Sequence, residues 1–274
     1  FFHARAILKE VQPDIVVTAG GFVSVPVHVA AWTMKIPSLV HQQDIEIGLA
    51  NKLMSWIARR VTVSVEAQLT KFSAKKVVLT GNPIRASVLG GSREKGMEIF
   101  RLNPELATIF IFGGGTGADA INRAVEQLVQ ECSGQFQIIH LTGTDRKQSL
   151  ISSPTYHPYP FFMGEMAHAY AVADIIVSRA GFNSITEISA WGKPSILIPI
   201  HGSHQLANAN FAAAAGAAIV IDEFSLGAEN LFHAIRGLLT DDGTYHAMSE
   251  KSSSLLPHDA TRSFVDVLIQ TVHN

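Results

Sequence analysis

"TIFIFGGGTGADAINRAVEQL", residues 108–128, decides the fold. Five apolar or β-branched residues are followed by glycines at 113, 114, 115 and 117, and then by apolar residues at helical spacing. A continuous apolar run of this length reads as a strand buried on both faces, and the period then changes to that of a helix. Glycines at such a junction let backbone N–H groups approach an anion, and the helix N-terminus adds a positive dipole end. The turn lacks the Gly-Lys-Ser/Thr of a Walker loop. It fits a dinucleotide fingerprint through Gly113, Gly115 and Ala118, but no acidic residue ends a second strand at the required distance. A tight strand-to-helix turn with no ligand is the plainer alternative.

The same alternation runs outward in both directions. Upstream, "DIVVTA" (14–19), "PSLVHQ" (37–42), "VTVSV" (61–65) and "KVVLT" (76–80) read as strands, with "VPVHVAAWTMK" and "GLANKLMSWIARR" as helices between them. Downstream, "QIIHL" (137–141), "DIIVS" (174–178), "SILIPI" (195–200) and "AAIVI" (217–221) continue the series. Strand–helix alternation predicts parallel sheets with right-handed crossovers. The break near "GNPIRASVLGGSREKG" (81–96) predicts two doubly wound domains with a cleft between them. Ligands in such sheets sit beyond the carboxyl ends of the strands, so the residues after each strand are the candidates.

Composition bounds the possibilities. The 274 residues are 47% hydrophobic and 16% charged, which supports a sizeable core. Net charge is −2 with no basic block, which argues against nucleic acid as a partner. Cys132 is the single cysteine, so no intrachain disulfide is available and a reducing compartment is expected. The run "FAAAAGAAIVI" (211–221) is too short to span a membrane, and no signal peptide is recognisable. The chain opens "FFHARAILKE", without Met, in the pattern of an amphipathic helix.

Three further stretches carry chemistry. "TAGGFVSVPV" (18–27) is a second glycine turn after a strand, where Ser24 is suited to ligand donation or to helix capping. In "SRAGFNSITEISAWGKPSILIPI" (178–200), Asn183, Ser184 and Thr186 are expected at a helix start, with Glu187 in its first turn. Small polar side chains there suit phosphate oxygens, and a carboxylate can accept both hydroxyls of a ribose. A capping box explains the same residue types without a ligand. In "HGSHQLANAN" (201–210), His204, Gln205, Asn208 and Asn210 offer imidazole and amide groups to sugar hydroxyls, or to solvent.

The motifs, in the order GGFVSVP, HQQD, GLANKL, GNPIR, FGGGTGA, HLTG, MAHAYAVADIIVSRAGFNSITEISAWGKPSILIPI, HQ and NA, resemble the MurG family, glycosyltransferase family 28. That resemblance implies a GT-B fold of two Rossmann-like domains. It also implies an inverting transfer of N-acetylglucosamine from UDP-GlcNAc to undecaprenyl-pyrophosphoryl-MurNAc-pentapeptide, lipid I to lipid II, in peptidoglycan synthesis. Residues 1–86 would form an incomplete acceptor-side domain, 87–258 the UDP-sugar domain, and 259–274 a helix returning towards the first domain. The donor would be held by Arg85, Gly114, Gly115, Thr116, Gly117, Met163, Phe182, Asn183, Ser184, Thr186, Glu187, His204, Gln205 and Asn208. Within that set Met163 would meet the uracil, Glu187 the ribose, Ser184 and Thr186 the diphosphate, and His204 and Gln205 the GlcNAc hydroxyls. Gly20, Gly21, Phe22, Ser24, Gln42 and Asp44 would lie on the acceptor side. No metal or other cofactor is implied, and no Asp-x-Asp occurs. The partners would be UDP-GlcNAc and a lipid-linked acceptor, at the cytoplasmic face of the bacterial inner membrane. The family's first glycine loop and its histidine, a leading candidate for the base, are expected to precede residue 1.

This chain departs from the family pattern at several positions. Phe22 stands for a usual Tyr, Val25 for Gly, Gln42 for Glu, Asp44 for Asn, and Gly115 for a residue that often contacts phosphate. Other readings of the motifs are a transferase with another lipid acceptor, a UDP-sugar epimerase, an inactive UDP-sugar-binding protein, or an NAD oxidoreductase.

Overall fold

The computed structural model describes residues 1–114, 118–131, 134–144 and 153–273. They form two compact units, Phe1–Ile84 with Leu256–Asn274, and Arg85–Leu255.

The first unit carries a four-stranded parallel sheet, β1 (Val16–Thr18), β2 (Ser38–Gln42), β3 (Arg60–Val63) and β4 (Val77–Leu79), in that spatial order. Every residue of β2 is buried, including the polar His41 and Gln42, whose side chains are hydrogen-bonded to Thr62 and Asn51. Helix α1 (Phe2–Val11) precedes β1, α2 (Ser24–Thr33) and α3 (Leu49–Ile57) connect β1 to β2 and β2 to β3, and a 3-10 helix (Glu66–Lys71) connects β3 to β4. The C-terminal helix α12 (Ala260–His273) also belongs here: Phe264 sets its ring edge-on to His41, and Arg59 donates to the Thr271 carbonyl at 3.1 Å.

The second unit carries a six-stranded parallel sheet of β5 (Thr108–Phe112), β6 (Gln137–Leu141), β7 (Tyr156–Tyr159), β8 (Ile175–Ser178), β9 (Ser195–Leu197) and β10 (Ala218–Val220), in the spatial order β10-β9-β8-β5-β6-β7. Helices α4 (Ala86–Leu89) and α5 (Arg93–Phe100) precede the sheet in sequence, and α11 (Asp242–Ser253) follows it. The chain winds outward from β5 through β6 to β7, then restarts on the other side of β5 with β8. The winding direction therefore reverses between β5 and β8, and α/β sheets bind ligands at such a point.

The two faces of β5 divide the core. Ile109 and Ile111 pack with Ile121, Val125 and Leu128 of α6 (Asp119–Glu131) and with Leu231 and Ile235 of α10 (Ala228–Thr240). Each such side chain contributes about 1.5–3 kcal/mol on burial. Phe110 and Phe112 point the other way, with ring centroids 5.6 and 6.0 Å from Tyr170 of α7 (Met166–Val172).

Strand β7 is an addition to the sequence reading. "YHPY" has no apolar run, and Pro158 interrupts it, but β7 is the edge strand, where a missing N–H costs no ladder bond. A second correction concerns α8 (Phe182–Ala190). Its N-cap is Gly181, without a side-chain cap, so Glu187 lies in the second turn rather than the first. The polar residues that read as capping signals are inside the helix.

Candidate active site

A cleft of about 240 Å³ opens beyond the carboxyl ends of β5 and β6. Among the expected donor residues it is lined by Arg85, Gly114, Asn183, Ser184 and Glu187. Phe112, Leu141, Phe161, Phe162 and Met166 make the rest of the wall largely apolar. An apolar cleft with a few convergent polar groups has the form of a small-molecule site.

Glu187 organises this cleft. Oε1 accepts from Arg85 Nη2 at 2.8 Å and Nε at 3.3 Å, and Oε2 accepts from the Tyr170 hydroxyl at 3.0 Å. The Glu187 side chain is 8% exposed and that of Arg85 is 68% exposed. The carboxylate is thus fixed from below by a buried phenol and covered from outside by a cation that solvent reaches. Burial, and then the facing carboxylate, push the Tyr170 phenol well above its usual value, so it remains a donor. The hydrogen bond to Glu187 raises the already basic Arg85 guanidinium.

The backbone supplies the complementary feature. Gly114 has φ +104°, a conformation that side-chain-bearing residues rarely adopt. The first turn of α8 has no side-chain cap, and its residues Asn183 and Ser184 line the cleft. An uncapped helix start beside a glycine turn favours negative charge. Gly115, Thr116 and Gly117 lie outside the described residues.

The other expected donor residues are placed differently. Phe182 is buried against Phe211, with ring centroids 6.3 Å apart. Thr186 is buried and returns its hydroxyl to the Phe182 carbonyl at 2.7 Å. Asn208 is buried and donates to the Ala180 carbonyl at 3.1 Å, holding the turn before α8. Met163 exposes its side chain and gives its backbone N–H to Glu165 at 2.8 Å. His204 and Gln205 open α9 (Gln205–Ala214) beyond β9, and Gln205 Oε1 accepts from Ile200 N at 3.2 Å. Tyr170, which the sequence reading did not single out, is the residue that orients Glu187. Its signal was a phenol among the alanines of "AHAYAVA".

In the first unit, Gly20 (φ +113°) and Gly21 (φ +84°) make the turn between β1 and α2. Ser24 folds its hydroxyl back onto the Gly20 carbonyl at 3.0 Å, and Phe22 stands exposed. Gln42 is buried, and its amide donates to the carbonyls of Asp44 (2.6 Å) and Glu46 (2.9 Å). It therefore shapes the loop that carries Asp44. Asn51 of α3 donates to Gln42 Oε1 at 2.7 Å, while its own Oδ1 is buried without a partner. That oxygen would lie 3.3 Å from a Cβ placed on Gly20. Asn51 is a second residue the sequence reading missed, although it stands inside the quoted "GLANKL".

Two Rossmann-like parallel sheets and the likeness to solved GT-B structures put the chain in the GT-B class of glycosyltransferases. Residues 108–267 match the glycosyltransferase family 28 C-terminal domain, and residues 1–63 match the family's N-terminal domain. The chain belongs to glycosyltransferase family 28.

A relative from Lachnospira eligens is 35% identical over 92% of this chain and 72% of its own length. One from Geobacter sulfurreducens is 35% identical over 98% and 76%. Both are named UDP-N-acetylglucosamine–N-acetylmuramyl-(pentapeptide) pyrophosphoryl-undecaprenol N-acetylglucosamine transferase. The crystal structure of Acinetobacter baumannii MurG is similar with a TM-score of 0.75 at 27% identity, covering 98% of this chain and 76% of that one. UDP-GlcNAc 2-epimerase from Neisseria meningitidis, solved with UDP-GlcNAc bound, shares the fold at TM-score 0.73 and 16% identity, over 98% and 79%.

Proposed function

We propose that this chain transfers N-acetylglucosamine from UDP-GlcNAc to the lipid-linked acceptor undecaprenyl-pyrophosphoryl-MurNAc-pentapeptide, a step of peptidoglycan synthesis. The observation that carries the reading is the buried Glu187 carboxylate, oriented by Tyr170 at the edge of a cleft between a glycine turn and an uncapped helix start. The printed names of relatives at 35% identity supply the reaction.

On this reading the ribose hydroxyls donate to Glu187 and displace the Arg85 guanidinium from Oε1. Arg85 is exposed enough to turn towards the diphosphate once displaced. Asn183, Ser184, the first N–H groups of α8 and the Gly114 turn then meet the phosphate oxygens. His204 and Gln205, beyond the neighbouring strand β9, contact the sugar. The acceptor hydroxyl attacks the anomeric carbon, its proton passes to a base, and UDP leaves with the bonding pair. Donors fixed in place before reaction stabilise the charge that develops on the leaving diphosphate. The Gly20–Gly21 turn of the first unit, with Ser24 and the unpartnered Asn51 oxygen beside it, is the proposed acceptor-side surface.

We also propose a peripheral position on the cytoplasmic face of the inner membrane. Among the described residues no helix is long and apolar enough to cross a membrane. Helix α3 instead presents Leu49, Leu53 and Trp56 to solvent at spacings of one helical face, with Lys52 beside them.

Incubation of the protein with labelled UDP-GlcNAc and lipid I tests the reaction. Label appearing in the lipid-extractable product, with release of UDP, supports it. Release of UDP with label only in free sugar, or no consumption of donor, contradicts it.

A further inference from the structure

A partly buried ion pair outside the cleft ties the turn before α8 to the loop before α9. Arg179 follows β8 directly; its Nη1 donates to the Ile198 carbonyl at 3.2 Å and its Nη2 to Glu223 Oε1. The side chains of Arg179 and Glu223 are 11% and 22% exposed. The other carboxylate oxygen, Oε2, accepts from the backbone N–H of His201 at 3.1 Å. Glu223 sits on a single 3-10 turn, Glu223–Ser225, after β10, and Asp222 caps that turn by accepting from Phe224 N at 2.9 Å.

The loop that Glu223 holds also carries bonds of its own. Ser203 Oγ donates to the Ile200 carbonyl at 2.8 Å and accepts from Gln205 N at 3.2 Å. Gly202 takes φ +68°, and Gln205 Oε1 reaches back to Ile200 N. The loop is thus a compact body whose placement depends on what it is fastened to. Its attachments include the His201 N–H on Glu223 and the His201 ring, whose centroid lies 4.4 Å from that of Phe224.

We infer that the Arg179–Glu223 pair is a positioning element for donor selection. It sets the distance between the α8 side of the site and the His201–Gln205 loop, so that it governs which sugar is accepted rather than how tightly the nucleotide is held. The inference rests on the reading that the nucleotide occupies the α8 side and the sugar the α9 side. The physical reason is geometric: a carboxylate that bonds a guanidinium and a backbone N–H at once fixes three strand ends in one arrangement. Leaving the Arg179 charge without its partner in a mostly buried place releases that arrangement.

Steady-state kinetics on the full chain, with UDP-GlcNAc and UDP-glucose as donors and UDP as competitor, test this. Glu223→Gln retains an oxygen for the His201 N–H but removes the ion pair. The expected result is a KM for UDP-GlcNAc raised about tenfold and a UDP-GlcNAc over UDP-glucose preference lowered about tenfold, the size of one charge-assisted hydrogen bond. Inhibition by UDP should change by less than about twofold, well under the tenfold expected for one lost bond. Phe224→Ala, at an exposed position, removes the ring contact and should shift the preference in the same direction without endangering the fold. Unchanged KM and preference in both variants, or UDP inhibition weakened as much as donor KM, would overturn the inference. Wild-type protein that UDP does not inhibit would instead refute the functional reading beneath it.

Discussion

At the residue scale, two carboxylates carry most of what can be measured. Glu187 has a phenol on one oxygen and a guanidinium on the other, and only the guanidinium faces solvent. Tyr170→Phe removes the inner donor and leaves Glu187 Oε2 buried without it. Folding stability should fall by about 1–3 kcal/mol in urea titrations, the cost of an unmet buried acceptor. A loss of less than a few tenths would mean that water replaces the phenol.

Glu223 gives a pH prediction. The Arg179 hydrogen bond, with smaller help from the His201 N–H, holds this carboxyl below its usual value of 4.5. A depressed folded-state pKa contributes stability that is complete above the unfolded-state value and is lost as pH falls through the folded one. Wild type should therefore lose stability below about pH 4.5 more steeply than Glu223→Gln. Parallel acid limbs for the two proteins would show that the pair adds nothing to folding.

At the element scale, α5 (Arg93–Phe100) lies unusually close to α7. A Cβ at Gly96 would stand 2.4 Å from Val172 Cγ1 and 2.7 Å from the His168 carbonyl oxygen. Glycine to alanine inside a helix ordinarily gains about 1 kcal/mol from propensity. Here overpacking costs about 1–3 kcal/mol, and a backbone carbonyl cannot step aside as a side-chain terminus can. Gly96→Ala should thus lower the melting temperature, and a rise would show that the helices can separate freely.

The element scale is also where the sequence was most and least readable. β5 matches its apolar run residue for residue, because a central parallel strand is apolar on both faces, and β6 coincides with QIIHL, whose buried Gln137 and His140 are hydrogen-bonded to Thr108 and Asn122. β7 was hidden because an edge strand tolerates histidine and proline. The start of α8 was misplaced because asparagine, serine and threonine resemble caps wherever they stand, whereas a glycine N-cap has no side chain to announce it. In the site, Glu187 was visible as an isolated acid in an apolar block. Tyr170, Asn51 and the Arg179–Glu223 pair were not, since each acquires its role from a partner that only folding brings near.

At the scale of the whole molecule, each unit states its own part of the proposal. The second unit places its cleft where the winding of the sheet reverses, as ligand-binding α/β sheets do. The first exposes an apolar helix face on α3, with lysine and arginine close by in sequence at Lys52, Arg59 and Arg60. Attraction of anionic headgroups adds about 1 kcal/mol per basic residue near the surface, alongside burial of the apolar face. Leu53→Glu with Trp56→Glu should reduce sedimentation with vesicles of anionic phospholipid by at least about tenfold, since two large apolar groups are exchanged for charges. Equal sedimentation of the variant would place any membrane contact elsewhere.

The central claim is that the second unit holds a UDP-sugar through Glu187. Calorimetric titration of UDP into wild type and Glu187→Ala tests it most directly. Wild type should bind saturably, and the variant about tenfold to a hundredfold more weakly, the range for losing hydrogen bonds to a charged group. Equal UDP affinity in the two proteins would contradict it.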